Sequence, residues 1–163
     1  MLFTVQNASL ADAAAIAALH VQAWRETYAH LLPDDHFDEA HAHGRREQWE
    51  RNLASPSDDW TIRVARYGNQ VVGFATVGPN FGSGPANPAD RQLHNLYVLA
   101  EWHGSGVGQA LLDSTVNGSR AMLWVAKDNP RAIAFYRRNG FEFDGVERID
   151  PVLPMMTSAR MLR

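Results

Sequence analysis

Positions Ala13, Ile16, Ala17, His20, Val21 and Trp24 recur at helical spacing, which predicts an amphipathic helix from Leu10 to about His30. Ser9 stands where an N-cap would, with Asp12 as the acid of a shortened capping box. Pro33 ends the pattern, and Asp34 or Asp35 can start a second helix that carries Phe37, Ala40, Arg45 and Trp49. Ahead of the first helix, Leu2–Gln6 alternates weakly as a strand. Pro56–Asp59 is a turn; Trp60–Tyr67 alternates as a strand, Gly68-Asn69 is a hairpin signal, and Gln70–Val77 is the partner strand. Gly78–Arg91, rich in Gly, Pro and Asn, reads as a loop. Leu93–Leu99 is a strand, Gly104–Gly108 a glycine-rich turn, Val107–Val116 a helix and Ala121–Ala126 an apolar strand. Asn129-Pro130 opens another helix, which stops at Asn139-Gly140. Phe141–Arg148 and Met155–Met161 read as two closing strands. A helical pair, then a hairpin, then strand and helix in alternation predicts a mixed α/β (α+β) sheet protein.

Length narrows this further. The chain has 163 residues, enough for one compact domain, and no linker or repeat divides it, so residues 1–163 are expected to form a single domain. The formal net charge of −3 argues against a general nucleic-acid binder and would suit a cationic partner. There is no cysteine, which excludes disulfides, a thiol nucleophile and cysteine-based metal sites. The N-terminus lacks a basic start followed by an apolar core. The longest apolar stretch, Ala13–Leu19, is too short to span a bilayer. No signal peptide, no membrane partner and a cytoplasmic location are therefore expected.

The sharpest feature is the run from Leu93 to Gly108, in which a strand leads through Ala100-Glu101-Trp102 into His103-Gly104-Ser105-Gly106-Val107-Gly108 and a helix. Glycines let the backbone approach a ligand closely, and their N–H groups can converge on an anion beside the positive end of the helix. A Walker phosphate loop would need Gly-Lys-Ser/Thr, whereas Gly108-Gln109-Ala110 follows here. A Rossmann fingerprint would need a third glycine where Leu111 stands, although Asp128 sits near the place of its acidic residue. A ligand-free glycine-rich connection is the remaining reading of the turn alone.

Taken with the next segment, the turn becomes specific. His103-xx-Gly106-x-Gly108 resembles the acetyl-CoA signature of the GNAT acetyltransferase superfamily, usually Gln/Arg-xx-Gly-x-Gly/Ala. Asn129-Pro-Arg-Ala132-Ile-Ala-Phe135-Tyr136-Arg-Arg-Asn-Gly140-Phe141 is similar to that family's second block, Asn-xx-Ala-xx-Phe-Tyr-xxx-Gly-Phe. Trp24-Arg25-Glu26-Thr27-Tyr28 followed by Leu31-Leu32-Pro33 is similar to the first helices of many bacterial members. The resemblance implies a GNAT-like, mostly antiparallel central sheet of about seven strands flanked by about four helices.

It also implies direct acetyl transfer from acetyl-CoA, used as co-substrate and without metal, to a primary amine of a small molecule or peptide. By the family pattern the cradle is His103, Gly104, Ser105, Gly106, Val107 and Gly108. His103 departs from the usual Gln or Arg, a side chain that helps hold the pyrophosphate or shapes the loop. Leu96 and Val98 would pair with pantetheine like an added strand, and Val98 N–H would meet the thioester carbonyl. Asn129 would lie near the pantetheine arm, where it can equally be the N-cap before Pro130. Tyr136 would protonate the leaving thiolate; the bland reading, an aromatic pair packing the helix on the sheet, suits Phe135 better. Phe135 is placed with the cofactor-binding residues by its position in the block.

An amine nucleophile must first lose a proton. The family often uses a carboxylate on the strand before the glycine turn. Here that strand carries His94 and Asn95 and no acid until Glu101. His94 is the candidate base, with Glu26 or a water chain as rivals and an ordinary strand-face histidine as the plain alternative. Trp24 and Tyr28 share a helix face and either wall the acceptor pocket with Glu26 and His30 or belong to the core. His36, His41 and His43 do not converge on one point at helical spacing and read as surface residues.

Other classes stay open at this level: a GNAT-like module that binds acyl-CoA without turnover, and a nucleotide-binding oxidoreductase resting on the glycine turn alone. Dimers are common among similar proteins, so a homodimer is one possibility.

Overall fold

The computed structural model describes residues 2–81, 89, 91–150 and 153–163. The side chain of His36 and most of the loop expected over Gly78–Arg91 lie outside the described residues. Among the described residues seven strands form a mixed sheet, β1 (Thr4–Asn7), β2 (Thr61–Tyr67), β3 (Gln70–Pro79), β4 (Arg91–Val98), β5 (Met122–Ala126), β6 (Glu142–Ile149) and β7 (Thr157–Leu162). Their order is β1-β2-β3-β4-β5-β7-β6, with β4 and β5 parallel. Four α-helices are described: α1 (Ala13–Tyr28), α2 (Glu39–Ala54), α3 (Val107–Val116) and α4 (Pro130–Arg138). The chain groups into two compact units, one running up to Val77 with Asn95–Asn117, the other made of Gly78–His94 and Gly118–Arg163.

The first unit has helices on both faces of its strands. Val64 pairs with Phe74 across the β2–β3 hairpin, and both are fully buried. Phe74 meets His20 of α1 at 5.4 Å and Trp49 of α2 at 5.1 Å between ring centroids. On the opposite face, a Cβ built at Gly73 would lie 3.0 Å from Leu111 Cδ1 and 3.1 Å from Val107 Cγ1. Only glycine lets α3 come this close to β3. Ile16, Val72, Leu111 and Leu112 are completely buried. Each such side chain contributes about 1.5–3 kcal/mol through removal from water.

Local signals explain where these helices begin. Ser9 N–H donates to Asp12 Oδ2 at 2.7 Å, as the capping box requires, but Leu10–Asp12 is a 3-10 turn and the α-helix starts at Ala13. Asp12 is buried and is ion-paired with Arg66 of β2. Asp34–Phe37 is likewise only a 3-10 turn, which corrects the expected helix start. The true N-cap of α2 is Asp38, whose carboxylate accepts from His41 N–H at 2.9 Å.

In the second unit, β5 is joined by β7 and β7 by β6, both antiparallel. Leu123, Met161 and Phe143 share one sheet face by register, and Arg137 of α4 lies 5.2 Å from the Phe143 ring, which places α4 on that face. Phe141, fully buried, packs against Tyr136 of α4 at 5.8 Å.

Candidate functional site

The glycine turn has the backbone its sequence demands. Gly104 and Gly106 adopt φ of 79° and 90°, in the left-handed region that favours glycine. A Cβ built at either would meet nothing within 4 Å, so conformation rather than crowding requires the glycines, and the space beside the loop is open. Gly106 is the N-cap of α3, whose first-turn N–H groups have no helical acceptor behind them. Such a turn fits an anion such as a pyrophosphate. Ser105 Oγ donates to Trp102 O at 2.6 Å and fastens the loop to a buried tryptophan.

His103 Nε2 lies 3.0 Å from Val98 O. A carbonyl only accepts, so this nitrogen carries the proton. The ring ties the loop to the end of β4. Glu26 Oε2 accepts from Ala100 N–H at 3.0 Å, and its Oε1 accepts from Gln22 Nε2 at 2.9 Å. Glu26 thereby holds the start of the 3-10 turn Ala100–Trp102 that leads into the glycine loop.

Along β4, Leu96 and Val98 are half-buried, and the β4–β5 register covers Gln92 and Leu93. Asn95 and Tyr97 point to the α1–α2 side. Trp24 Nε1 donates to Tyr97 Oη at 2.8 Å, and Thr76 Oγ1 donates to Asn95 Oδ1 at 2.8 Å. Burial, reinforced by Tyr28, raises the Tyr97 phenol well above its ordinary pKa, so it stays neutral. Trp24 and Tyr28 rings stand 5.1 Å apart; Tyr28 is buried and Trp24 half-buried. They belong to an aromatic cluster with His20, Trp49 and Phe74. Trp49 Nε1 donates to His20 Nδ1 at 3.3 Å, and burial together with Arg45 pushes the His20 pKa down to about 3.

In the second unit, His94 Nε2 donates to Pro79 O at 3.0 Å, and the ring packs against Phe81 at 5.3 Å. Burial lowers its pKa, outweighing that hydrogen bond, so the ring is neutral at pH 7 with Nδ1 as its acceptor nitrogen. Asn129 is the N-cap of α4: its Oδ1 accepts from Ala132 N–H at 3.1 Å. Tyr136 is buried and Phe135 half-buried, the reverse of the expectation that Phe135 is the core member of the pair. His41 Nδ1 lies 2.8 Å from Asp38 Oδ1 and His43 Nε2 lies 3.4 Å from Glu47 Oε1, both exposed on α2.

Within the first unit the structure brings together the glycine loop, His103, Glu26 and the Leu96–Val98 segment. Within the second lie His94 and the Asn129–Tyr136 helix start. The polar chain Thr76–Asn95 and Trp24–Tyr97 was not foreseen. The signal for it was present in the alternation of polar Asn95 and Tyr97 along β4.

Known proteins resemble this chain in sequence and in fold. The sequence profile of the Acetyltransferase (GNAT) family matches residues 16–141. A Bacillus subtilis protein, the uncharacterized N-acetyltransferase YuaI, is 30% identical over 89% of this chain and 88% of its own length. The probable N-acetyltransferase Rv2775 of Mycobacterium tuberculosis is 26% identical over 86% of this chain and 80% of that protein. Among solved structures, the PaiA N-acetyltransferase of Thermoplasma acidophilum, in complex with coenzyme A, shares the fold with a TM-score of 0.75 at 18% identity, covering 98% of both chains. The chain belongs to the acetyltransferase (GNAT) family and is an acyltransferase. No helix among the described residues is long and apolar enough to cross a membrane.

Proposed function

We propose that residues 1–163 work as one acetyltransferase domain that moves an acetyl group from acetyl-CoA to a primary amine by direct attack. The observation that carries this reading is the main-chain cradle at Gly104–Gly108, where two left-handed glycines open α3. The complex of the PaiA relative with coenzyme A supports the same donor class.

The donor supplies an acetyl group activated as a thioester. The loop N–H groups of Gly104–Gly108 hold its pyrophosphate, with His103 keeping the loop in shape. The main chain of Leu96 and Val98 pairs with the pantetheine arm, and Asn129 and Phe135 flank it. The acceptor amine, with an ordinary pKa of about 10.4, gives up a proton to His94 Nδ1 before attack. Its nitrogen bonds to the thioester carbon, and Val98 N–H donates to the oxygen that gains charge. The carbon–sulfur bond then breaks, Tyr136 O–H protonates the leaving thiolate, and the second proton of the attacking nitrogen is lost to solvent, which reprotonates the phenol and leaves a neutral amide. Trp24 and Tyr28 shape the acceptor side through Tyr97.

The test is a melting-temperature titration with acetyl-CoA, with NADH and ATP as controls, followed by CoA release across a panel of amines. A ligand at 100 times its dissociation constant adds about 2.7 kcal/mol of stability, a shift of several degrees. A shift with acetyl-CoA alone and amine-dependent thiol release support the reading. Binding without release from any amine would mean an acyl-CoA-binding module, and no shift would overturn the cradle.

A further inference from the structure

The sheet of the second unit has two unlike faces. One carries Leu123, Met161 and Phe143 beneath α4. On the other, register aligns Trp124 with Arg160 and Ala126 with Ser158, and Ser158 with Arg148. Gln92 pairs with Met122, so Gln92 shares this second face, and His94 follows it two positions along β4. The face thus carries a tryptophan and two arginines, and β5, which bears the tryptophan, pairs with the strand of the candidate base.

The two arginines are not equivalent. Arg160 is neutralised: its Nε donates to Asp144 Oδ2 at 2.7 Å and its Nη2 lies 2.6 Å from the same oxygen. Arg148 reaches from β6 across β7, placing its guanidinium carbon 4.1 Å from the centroid of Trp124 on β5. Among the described residues no carboxylate lies within ion-pair distance of Arg148; Asp150 acts on it only as a more distant charge. Burial already penalises the cation, and the Trp124 ring compensates it in part. A guanidinium held over a ring keeps its fork of N–H donors for a planar anion. β5, which bears Trp124, is the neighbour of β4, the strand that bears His94.

Resting on the acetyltransferase reading above, we propose that the acceptor is a primary amine that also carries a carboxylate, with the carboxylate bound by Arg148 over Trp124. An amino acid of short chain length has this chemistry. Arg148, which has no ion-pair partner among the described residues, selects for it against plain amines and amino amides.

The experiment is calorimetric binding to the CoA-saturated protein, using N-acetylglycine, N-acetyl-β-alanine and N-acetyl-γ-aminobutyrate beside the corresponding amides. Steady-state acetylation of the free amino acids and amino amides runs in parallel. At least one acid is expected to bind about 10- to 100-fold more tightly than its amide, the range for a charge-assisted pair. R148Q should remove the preference without weakening the amide, and R148K should restore part of it; both variants lie on the exposed strand β6 and are checked by melting. Acids and amides binding alike, or a preference that survives R148Q, would overturn the inference. Turnover without carboxylate preference sinks this proposal and leaves the acetyltransferase reading standing. Arg148-dependent binding without turnover on any amine does the reverse.

Discussion

The Glu26 carboxylate on α1 accepts a hydrogen bond from the main-chain N–H of Ala100 at 3.0 Å. Ala100 begins the 3-10 turn between β4 and the glycine loop, so an acid that could pass for a catalytic base is engaged in holding the approach to that loop. This separates two outcomes. E26Q keeps an acceptor for Ala100 and should leave kcat and its pH profile close to wild type. E26A loses the acceptor and should raise KM for acetyl-CoA about 3- to 10-fold, the equivalent of one hydrogen bond. Steady-state kinetics of both variants from pH 6 to 9 decide the matter; a base limb that vanishes in E26Q would make Glu26 the proton acceptor.

His94 is the proposed base. Its Nε2 donates to Pro79 O, and burial keeps the ring neutral, the protonation state that a general base needs. A base with a lowered pKa loses function only when pH falls through that lowered value. The acidic limb of kcat/KM should therefore lie below the ordinary histidine value of about 6.5. H94Q should cost about 100-fold or more in kcat, within the usual range for removing a general base. A fall of less than about threefold would transfer the role to water.

How much of this could be read from the chain alone varies from element to element. Helix α3 begins and ends where its periodicity placed it, because Val107, Leu111, Leu112 and Val116 form a single buried face and Gly106 fixes the start. The start of α2 was misplaced because Asp34, Asp35 and Asp38 are all plausible caps, and only the Asp38 carboxylate reaches a helical N–H. Trp24 showed its helix face but not its partner: the hydrogen bond to Tyr97 joins residues far apart in sequence. Arg148 over Trp124 left no sequence signal. It depends on the β6–β7 register, which shifts between Phe143 and Glu147 at a bulge near Gly145. The family motifs pointed to the loop and to α4, yet the relative burial of Phe135 and Tyr136 came out reversed because neighbouring helical positions differ by a rotation that motif spacing does not fix.

His20 couples stability to pH. Its folded pKa is pushed down to about 3, below the value of about 6.5 expected for the unfolded chain. As pH falls below 6.5, the unfolded state takes up the proton first, so stability is complete above that pH and is lost on the way down toward the folded value. The slope approaches about 1.4 kcal/mol per pH unit, and His94 adds to it in the same direction. Urea unfolding between pH 7.5 and 5 should show this loss, in a window above the titration of most carboxylates. His20→Gln keeps an acceptor for Trp49 Nε1 and should flatten the slope; an unchanged slope would place the proton uptake elsewhere.

Tyr136 offers the sharpest division between packing and chemistry, because its ring and its hydroxyl can be separated. The ring is buried against Phe141 at 5.8 Å and beside Phe135 at 5.4 Å, contacts that Phe retains in Y136F. Stability should therefore change by no more than about 1 kcal/mol. If the hydroxyl protonates the leaving thiolate, kcat falls. A thiol near the ordinary value of about 8.5 is already a fair leaving group, so the expected loss is about 10- to 100-fold rather than the largest values known for acid catalysis. KM for acetyl-CoA should stay within about twofold, since the proposed cradle is the glycine loop and not Tyr136. A drop in kcat with unchanged melting and unchanged acetyl-CoA binding assigns the hydroxyl to the chemical step. Loss of melting temperature together with kcat would make Tyr136 a packing residue, and an unaltered kcat would mean that the thiolate departs unassisted.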